Sequence, residues 1–151
     1  MIDAIRRYLQ GYPGLRDGVL HLDGLPEASG TYSLSVIPCE PVLKRYMDGG
    51  ERRQMLCLLQ SRRFFGENLP TQSANLQFFS DFDAWLRRKN AAGELPELGE
   101  TRVCLEVAMV TSGYIMDADG AGYGRYQAEL KVIYFEGACG RPFERAASAA
   151  Q

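Results

Sequence analysis

The first ten residues alternate with a helical period. Ile2, Ile5 and Leu9 fall on one face of a helix, while Arg6 and Arg7 fall on another. The following "GYPG" combines two helix breakers and ends the pattern. The sequence therefore predicts a short amphipathic helix at the N-terminus.

A second and broader apolar stripe lies in the middle of the chain. It begins near Thr71 or Ser73, fades between Asn90 and Gly93, and predicts a helix over about 72–90. A stripe of this width is typical of a helix that packs on a sheet. The apolar residues that form it are Leu76, Phe78, Phe79, Phe82, Trp85 and Leu86.

Between the helices, apolar and polar residues alternate with a period of two, as in strands. "GVLHLDG" and "TYSLSVIP" predict two short strands joined by the turn-rich, hairpin-length "GLPEASG", with Tyr32, Leu34 and Val36 on one face. "VLKRYMDGGERRQMLCLLQSRRFF" then predicts a second hairpin. Its turn is Asp48-Gly49-Gly50, whose glycines supply the positive φ angles of a tight turn.

The C-terminal third predicts two or three more strands, in "TRVCLEVAMVTSGYIMD" and "GRYQAELKVIYFEG". Alternation in the last strand predicts one buried and one polar face. Tyr126, Ala128, Leu130, Val132 and Tyr134 point one way, and Arg125, Gln127, Glu129 and Lys131 point the other.

The order of elements predicts an α+β fold, with a mainly antiparallel sheet of long hairpins and one long helix on a face. We expect a single domain over residues 1–136, because 151 residues suffice for one core. Residues 137–151 contain few apolar side chains. We expect them to form a C-terminal tail that packs on a neighbouring subunit or is flexible.

Overall charge limits the classes of partner. A net charge of -2 and a pI near 5.5 argue against a primary role in binding DNA. No apolar run approaches the ~20 residues of a membrane span, and the start lacks the apolar core of a signal peptide. We expect no membrane association.

Lysine occurs only at Lys44, Lys89 and Lys131, so most of the basic residues are arginines. A high share of arginine among the basic residues is typical of protein interfaces.

The segment "YIMDADGAGYGRYQAELKVIYF" contains two aspartates and three glycines close together, as some metal loops do. With Gly120 at the sixth position of an EF-hand loop, Ile115 and Tyr126 would occupy the first and twelfth positions, where oxygen ligands are needed. On either side of the glycines, apolar and polar residues alternate with a period of two, which also indicates strands. The segment therefore predicts a hairpin.

Other candidate chemistry is weak. Cys39, Cys57, Cys104 and Cys139 have no metal or redox spacing and predict free thiols, mostly buried. His21 is the only histidine and lies in an alternating strand, which favours a structural or surface role over catalysis.

Two carboxylate pairs are candidates for catalysis. Asp81 and Asp83 lie two apart on a helix and diverge by about 200°. Asp117 and Asp119 lie on a glycine-rich tip, which leaves a small metal-dependent hydrolase as a distant alternative. No phosphate-binding glycine loop precedes a helix, and acidic residues interrupt the basic aromatic clusters "SRRFFGEN" and "RRYL". We expect no enzymatic activity, cofactor or metal.

Three stretches carry a resemblance to a known family: "PCEPVLKRYMDGGERRQMLCLLQSRRFFG", "FSDFDAWLRRKNAAGELPEL" and "TSGYIMDADGAGYGRYQAELKVIYF". Together they resemble the minor capsid proteins of the head-tail joining region in tailed phages and prophages of Gram-positive bacteria. The likeness runs from about Ser33 to Phe135.

The resemblance implies a tail terminator, a structural virion protein assembled in the bacterial cytoplasm. Such a protein would form a ring, expected to be a hexamer, on the head-proximal end of the tail tube. Its expected partners are its own copies, the major tail tube protein and the head connector, with genomic DNA passing through the lumen without specific binding. A tail completion or connector protein, or a tube-capping protein of a phage-like injection machine, are the alternatives.

Two groups of charged residues are candidate interfaces. The first flanks the predicted hairpin turn and is expected to contact a neighbouring ring. The second belongs to the glycine-rich loop over residues 117–124, where a loop can order upon binding. The candidates are Lys44, Arg45, Asp48, Arg52, Arg53, Asp117, Asp119 and Arg125.

Overall fold

The computed structural model describes residues 1–15, 20–22, 31–64, 69–111, 114–118 and 123–138. Within these ranges the chain is α+β, as predicted, with helices α1 (Ile2–Leu9) and α2 (Leu69–Ala92). The seven strands are β1 (Leu20–Leu22), β2 (Thr31–Ile37), β3 (Val42–Arg45), β4 (Glu51–Phe64), β5 (Arg102–Met109), β6 (Tyr114–Ala118) and β7 (Tyr123–Glu136).

Strands β4 and β7 form the centre of one open, mainly antiparallel sheet. Both are 14 residues long and pair along their whole length, from Glu51 opposite Glu136 to Phe64 opposite Tyr123. The main path through the sheet is β1-β2-β4-β7-β5. Strands β2 and β3 both pair with β4, on the side away from β7. Strands β5 and β6 both pair with β7, on the side away from β4. The mainly antiparallel arrangement is confirmed.

One pairing differs from the hairpin expected between the first two strands. Strand β1 is parallel to β2, with Leu20 opposite Tyr32 and Leu22 opposite Leu34. A parallel pair needs a connection that returns the chain past the strand. Because β1 has only three residues, about 10 Å long, eight intervening residues have enough reach to return.

The helices cover one face of the sheet. From α2, the stripe residues Phe79, Phe82 and Leu86 are at most 1% exposed, and Tyr12, after α1, packs its ring 5.2 Å from that of Phe82. Leu76 lies outside the residues whose side chains are described. The sheet contributes the buried face predicted for the last strand, together with Leu34, Cys57 and Leu59. This layer forms the core.

The opposite face is less polar than the alternation predicted. Ile133 and Gln127 are only 7% and 6% exposed, and Leu56 and Leu58 on β4 are half-buried on the same side. Ile133 replaces the polar residue that strict alternation requires. The prediction of a fully polar second face is therefore wrong at this position.

The β3–β4 hairpin forms at the predicted turn. Gly49 has a φ of 89°, which a residue with a side chain rarely adopts. Gly50 is required for space, because a Cβ atom there would lie 2.6 Å from Cζ of Phe135. Asp48 closes the turn by accepting a 2.8 Å hydrogen bond from the Gly50 amide at Oδ1.

The free edge of β5 is partly occupied by a side chain from α2. Asn90 donates from Nδ2 to the Val107 carbonyl at 2.8 Å, and its Oδ1 accepts from the Val107 amide at 3.2 Å. The amide thus takes the place of one residue of a further strand. Because unpaired edges invite pairing with other chains, Asn90 protects this edge.

Cys57 and Cys104 are buried free thiols, as predicted, while Cys39 is half-buried. Burial raises the pKa of Cys57 to about 12 and that of Cys104 to about 11. Cys139 and the rest of the predicted tail beyond Ala138 lie outside the described residues. Gly137 donates a 2.9 Å hydrogen bond to the Thr101 carbonyl, which ties the end of β7 to the start of β5.

Candidate assembly interface at the hairpin end

A row of charged residues crosses four strands at one end of the sheet. The registers place Arg45 beside Glu51, Glu51 beside Glu136, and Glu136 beside Arg102. Arg45 Nε lies 3.4 Å from Glu51 Oε1, and Arg102 Nε lies 3.3 Å from Glu136 Oε1. Each outer arginine therefore offsets one of two glutamates that face each other across β4 and β7.

Arg53 lies two residues inward along β4 and joins the two glutamates. Its Nη1 atom is 2.7 Å from Glu51 Oε2, and its Nε atom is 3.6 Å from Glu136 Oε2. Hydrogen bonds with Glu51 and Tyr134 raise the pKa of the Arg53 guanidinium. The side chain is 28% exposed. Arg53 therefore has a structural role here, and its contact with a neighbouring ring stays a prediction.

A pocket of about 240 Å³ opens beside this ion-pair network, lined by Gly49, Glu51, Arg53, Glu136 and Gly137. Arg53 Nε is buried and forms no hydrogen bond with any residue in the described ranges. Two carboxylates and one guanidinium line the space, and Arg45 and Arg102 add two more cations to the network. The pocket belongs to the hairpin end and is not a separate site.

The other face of the hairpin carries two further cations. Lys44 and Arg52 are paired across β3 and β4, and both side chains are exposed. Lys44 Nζ lies 5.3 Å from the ring centroid of Tyr46, which is 5.7 Å from the ring of Phe135. Neither cation forms an ion pair within the part of the chain that the structure describes. Their charge is therefore available to a partner.

Large apolar side chains are exposed beside these cations. Met47, at the tip of the turn, is 109% exposed relative to the reference residue, and Leu43 is 46% exposed. Tyr46 is 38% exposed. Apolar groups clustered at the tip of an element, with cations around them, are typical of a protein interaction surface. We call residues 43–47 with Arg52 the hairpin edge.

The second candidate group does not join the first. In the β6–β7 register Asp117 lies opposite Arg125, ten positions along β7 from Phe135. That separation corresponds to about 33 Å. Asp119 lies outside the described residues, and the side chains of Asp117 and Arg125 are not described. The fold thus places the two predicted interfaces at opposite ends of the sheet.

The remaining candidates for catalysis have local roles. Asp81 accepts a 2.9 Å hydrogen bond from Gln77, and Asp83 forms a 2.9 Å ion pair with Arg87. His21 lies half-buried on β1. Among the described residues, no group of three or more His, Cys, Asp or Glu side chains could hold a metal ion.

Sequence reasoning missed several residues of this end. Glu51, Glu136 and Arg102 become neighbours only through the register of β4, β7 and β5. Tyr46 and Met47 could have been found, because two large apolar residues directly before Asp-Gly-Gly are unusual for a solvated turn.

No helix in the described ranges is both long enough and apolar enough to cross a membrane. The chain matches no model of a known protein family, and no curated protein is significantly similar to it.

Proposed function

We propose that this chain is a structural assembly protein of the head-tail junction in a tailed phage. In this proposal it acts as a tail terminator. Its copies form a ring on the head-proximal end of the tail tube, stop polymerisation of the tube and provide a docking surface for the head connector. The protein would accordingly be part of the virion.

The observation that carries the proposal is the hairpin edge. It presents Met47, Leu43 and Tyr46 to solvent beside Lys44 and Arg52, neither of which pairs with an acidic side chain among the described residues. The surface is held by a turn fixed by Asp48 and by the ion-pair network behind it. A preformed apolar and basic surface loses little conformational freedom on binding, which suits repeated contacts between assembling subunits.

The resemblance of Ser33–Phe135 to head-tail joining proteins supplies the biological setting of the proposal. The acidic net charge of -2 is compatible with a lumen through which DNA passes, because a strongly basic lining would hold the phosphates. Glu51, Arg53 and Glu136 pair with one another at the hairpin end, which supports a structural role for this part of the network.

The test is deletion of the gene in the phage that encodes it, with tail length measured by negative-stain electron microscopy. A terminator predicts overlong tubes, and expression of the wild-type protein in trans should restore normal length. Tails of normal length that fail to join heads would instead indicate a completion or connector protein. Normal virions would refute any role in the junction.

A further inference from the structure

Exposed apolar residues concentrate on the two lateral edges of the sheet. Seven large apolar side chains are exposed among the described residues, and all except Met1 lie at these edges. Val36 precedes the hairpin edge on the same side of β4. On the far side, Leu105 and Val110 are 45% and 49% exposed, within and directly after β5.

The two edges carry opposite charge. On the hairpin edge, Lys44, Arg45 and Arg52 are exposed, Arg45 with 78% of its side chain accessible. On the other side, the connection from α2 to β5 over residues 93–101 contains three glutamates and no basic residue. Glu94 forms a 2.6 Å ion pair with Lys89, and the exposed Glu97 and Glu100 add further negative charge to the connection. We call Glu97, Glu100 and Leu105 the acidic edge; Val110 lies farther along the sheet, where its amide donates to the Glu129 carbonyl.

Both edges lie at the same end of the sheet and point in opposite directions. The hydrogen bond from Gly137 to the Thr101 carbonyl holds the acidic connection at the end of β7, opposite the start of β4. Strands β3, β4, β7 and β5 lie side by side here, so the two edges are about 14 Å apart across three inter-strand spacings. A neighbour placed beside the sheet would therefore present its acidic edge to the hairpin edge.

We propose that the hairpin edge of one copy binds the acidic edge of a second copy, head to tail. This inference rests on the ring assembly proposed above and names the surfaces that form it. The contact joins two different edges. If two hairpin edges met, Lys44 and Arg52 of one copy would face Lys44 and Arg52 of the other, and their charges would repel. A contact between two different surfaces repeats from copy to copy and closes into a ring when the rotation permits.

The contact forms through side chains and not by extension of the sheet. Asn90 already occupies the Val107 amide and carbonyl on the free edge of β5. Strand β3 is short, carries Lys44 and Arg45 and follows two prolines, features that disfavour the addition of a strand. Apolar contacts and charge pairs therefore provide the affinity, which should fall as salt is raised.

The experiment compares two charge-reversed proteins by sedimentation velocity and native mass spectrometry in low salt. K44E/R52E makes both edges acidic, and E97K/E100K makes both edges basic. We expect each protein alone to self-associate at least ten times more weakly than the wild type. An equimolar mixture should regain assembly, with the two variants alternating. The control is R7E/R88E, which changes the net charge as K44E/R52E does but at exposed residues of α1 and α2.

Wild-type levels of association in both variants alone, or no recovery in the mixture, would overturn the inference. So would a wild type that stays monomeric up to the highest soluble concentration. Circular dichroism would verify that each variant is folded. The tail-length assay is independent of this result: assembly that survives both charge reversals leaves the terminator proposal standing, whereas normal virions without the gene refute it whatever the edges do.

Discussion

Replacement of Asn90 by alanine removes the only side chain seen to occupy the free edge of β5 in the described part of the protein. The Asn90 amide makes hydrogen bonds of 2.8 Å and 3.2 Å with the Val107 carbonyl and amide. Val107 itself is fully buried. Asn90→Ala therefore deletes both hydrogen bonds and leaves two main-chain groups without these partners.

The expected loss follows from two contributions. Each hydrogen bond has a net value of about 1 kcal/mol, and a buried polar group left unsatisfied costs about 1 to 3 kcal/mol. Partial access of water to the edge reduces the second contribution. We expect the free energy of unfolding to fall by about 2 to 4 kcal/mol. With a denaturant slope of about 2 kcal/mol per M, the urea midpoint should fall by about 1 to 2 M.

The assay is urea unfolding followed by tryptophan fluorescence, since Trp85 is a buried residue of the same helix. The matched control is Gln77→Ala, which removes another amide from α2, where its 2.9 Å bond to Asp81 is exposed. The control should cost about 0.5 kcal/mol or less. Equal losses for Asn90→Ala and Gln77→Ala would refute the assigned role of Asn90. Increased aggregation of Asn90→Ala would agree with an opened edge.

Three further predictions concern the hairpin and the thiols. Gly50→Ala places a Cβ atom 2.6 Å from Phe135 Cζ and should cost about 1 to 3 kcal/mol in urea unfolding; adding Phe135→Leu should recover part of the loss, and no recovery would contradict the clash. Site-resolved mass spectrometry at pH 8 should show iodoacetamide labelling of Cys39 well before Cys57 and Cys104, whose pKa values are raised by burial. Since Cys57 titrates at 9.0 when unfolded and about 12 when folded, stability should fall as pH rises above 9, and Cys57→Ala should flatten that fall.

The hairpin could be predicted because its signals are local. Asp48, Gly49 and Gly50 specify the turn within three positions, and the alternation of β7 specifies which side of that strand is buried. The parallel direction of β1 could not be predicted in this way. Three residues carry no information on strand direction, and the choice depends on how the whole chain packs around β2.

The candidate interface was predictable only in part. Lys44 and Arg52 flank a recognisable turn, so their position at the hairpin could be inferred. The network that holds Arg53 could not, because Glu136 becomes its neighbour through the pairing of β4 with β7. The same applies to Asn90, whose role depends on the place where α2 crosses β5. Long-range register, which local pattern does not encode, decides these contacts.

The central pairing of β4 with β7 also has a consequence for synthesis of the chain. Strand β4 leaves the ribosome long before its partner, because α2, β5 and β6 are made in between. The centre of the sheet therefore closes only when nearly all of the described chain has emerged, and such distant pairing is slow. Until then the apolar side of β4, with Met55, Cys57 and Leu59, lacks the neighbour on which its burial depends. The nascent chain is therefore most prone to aggregate during that interval.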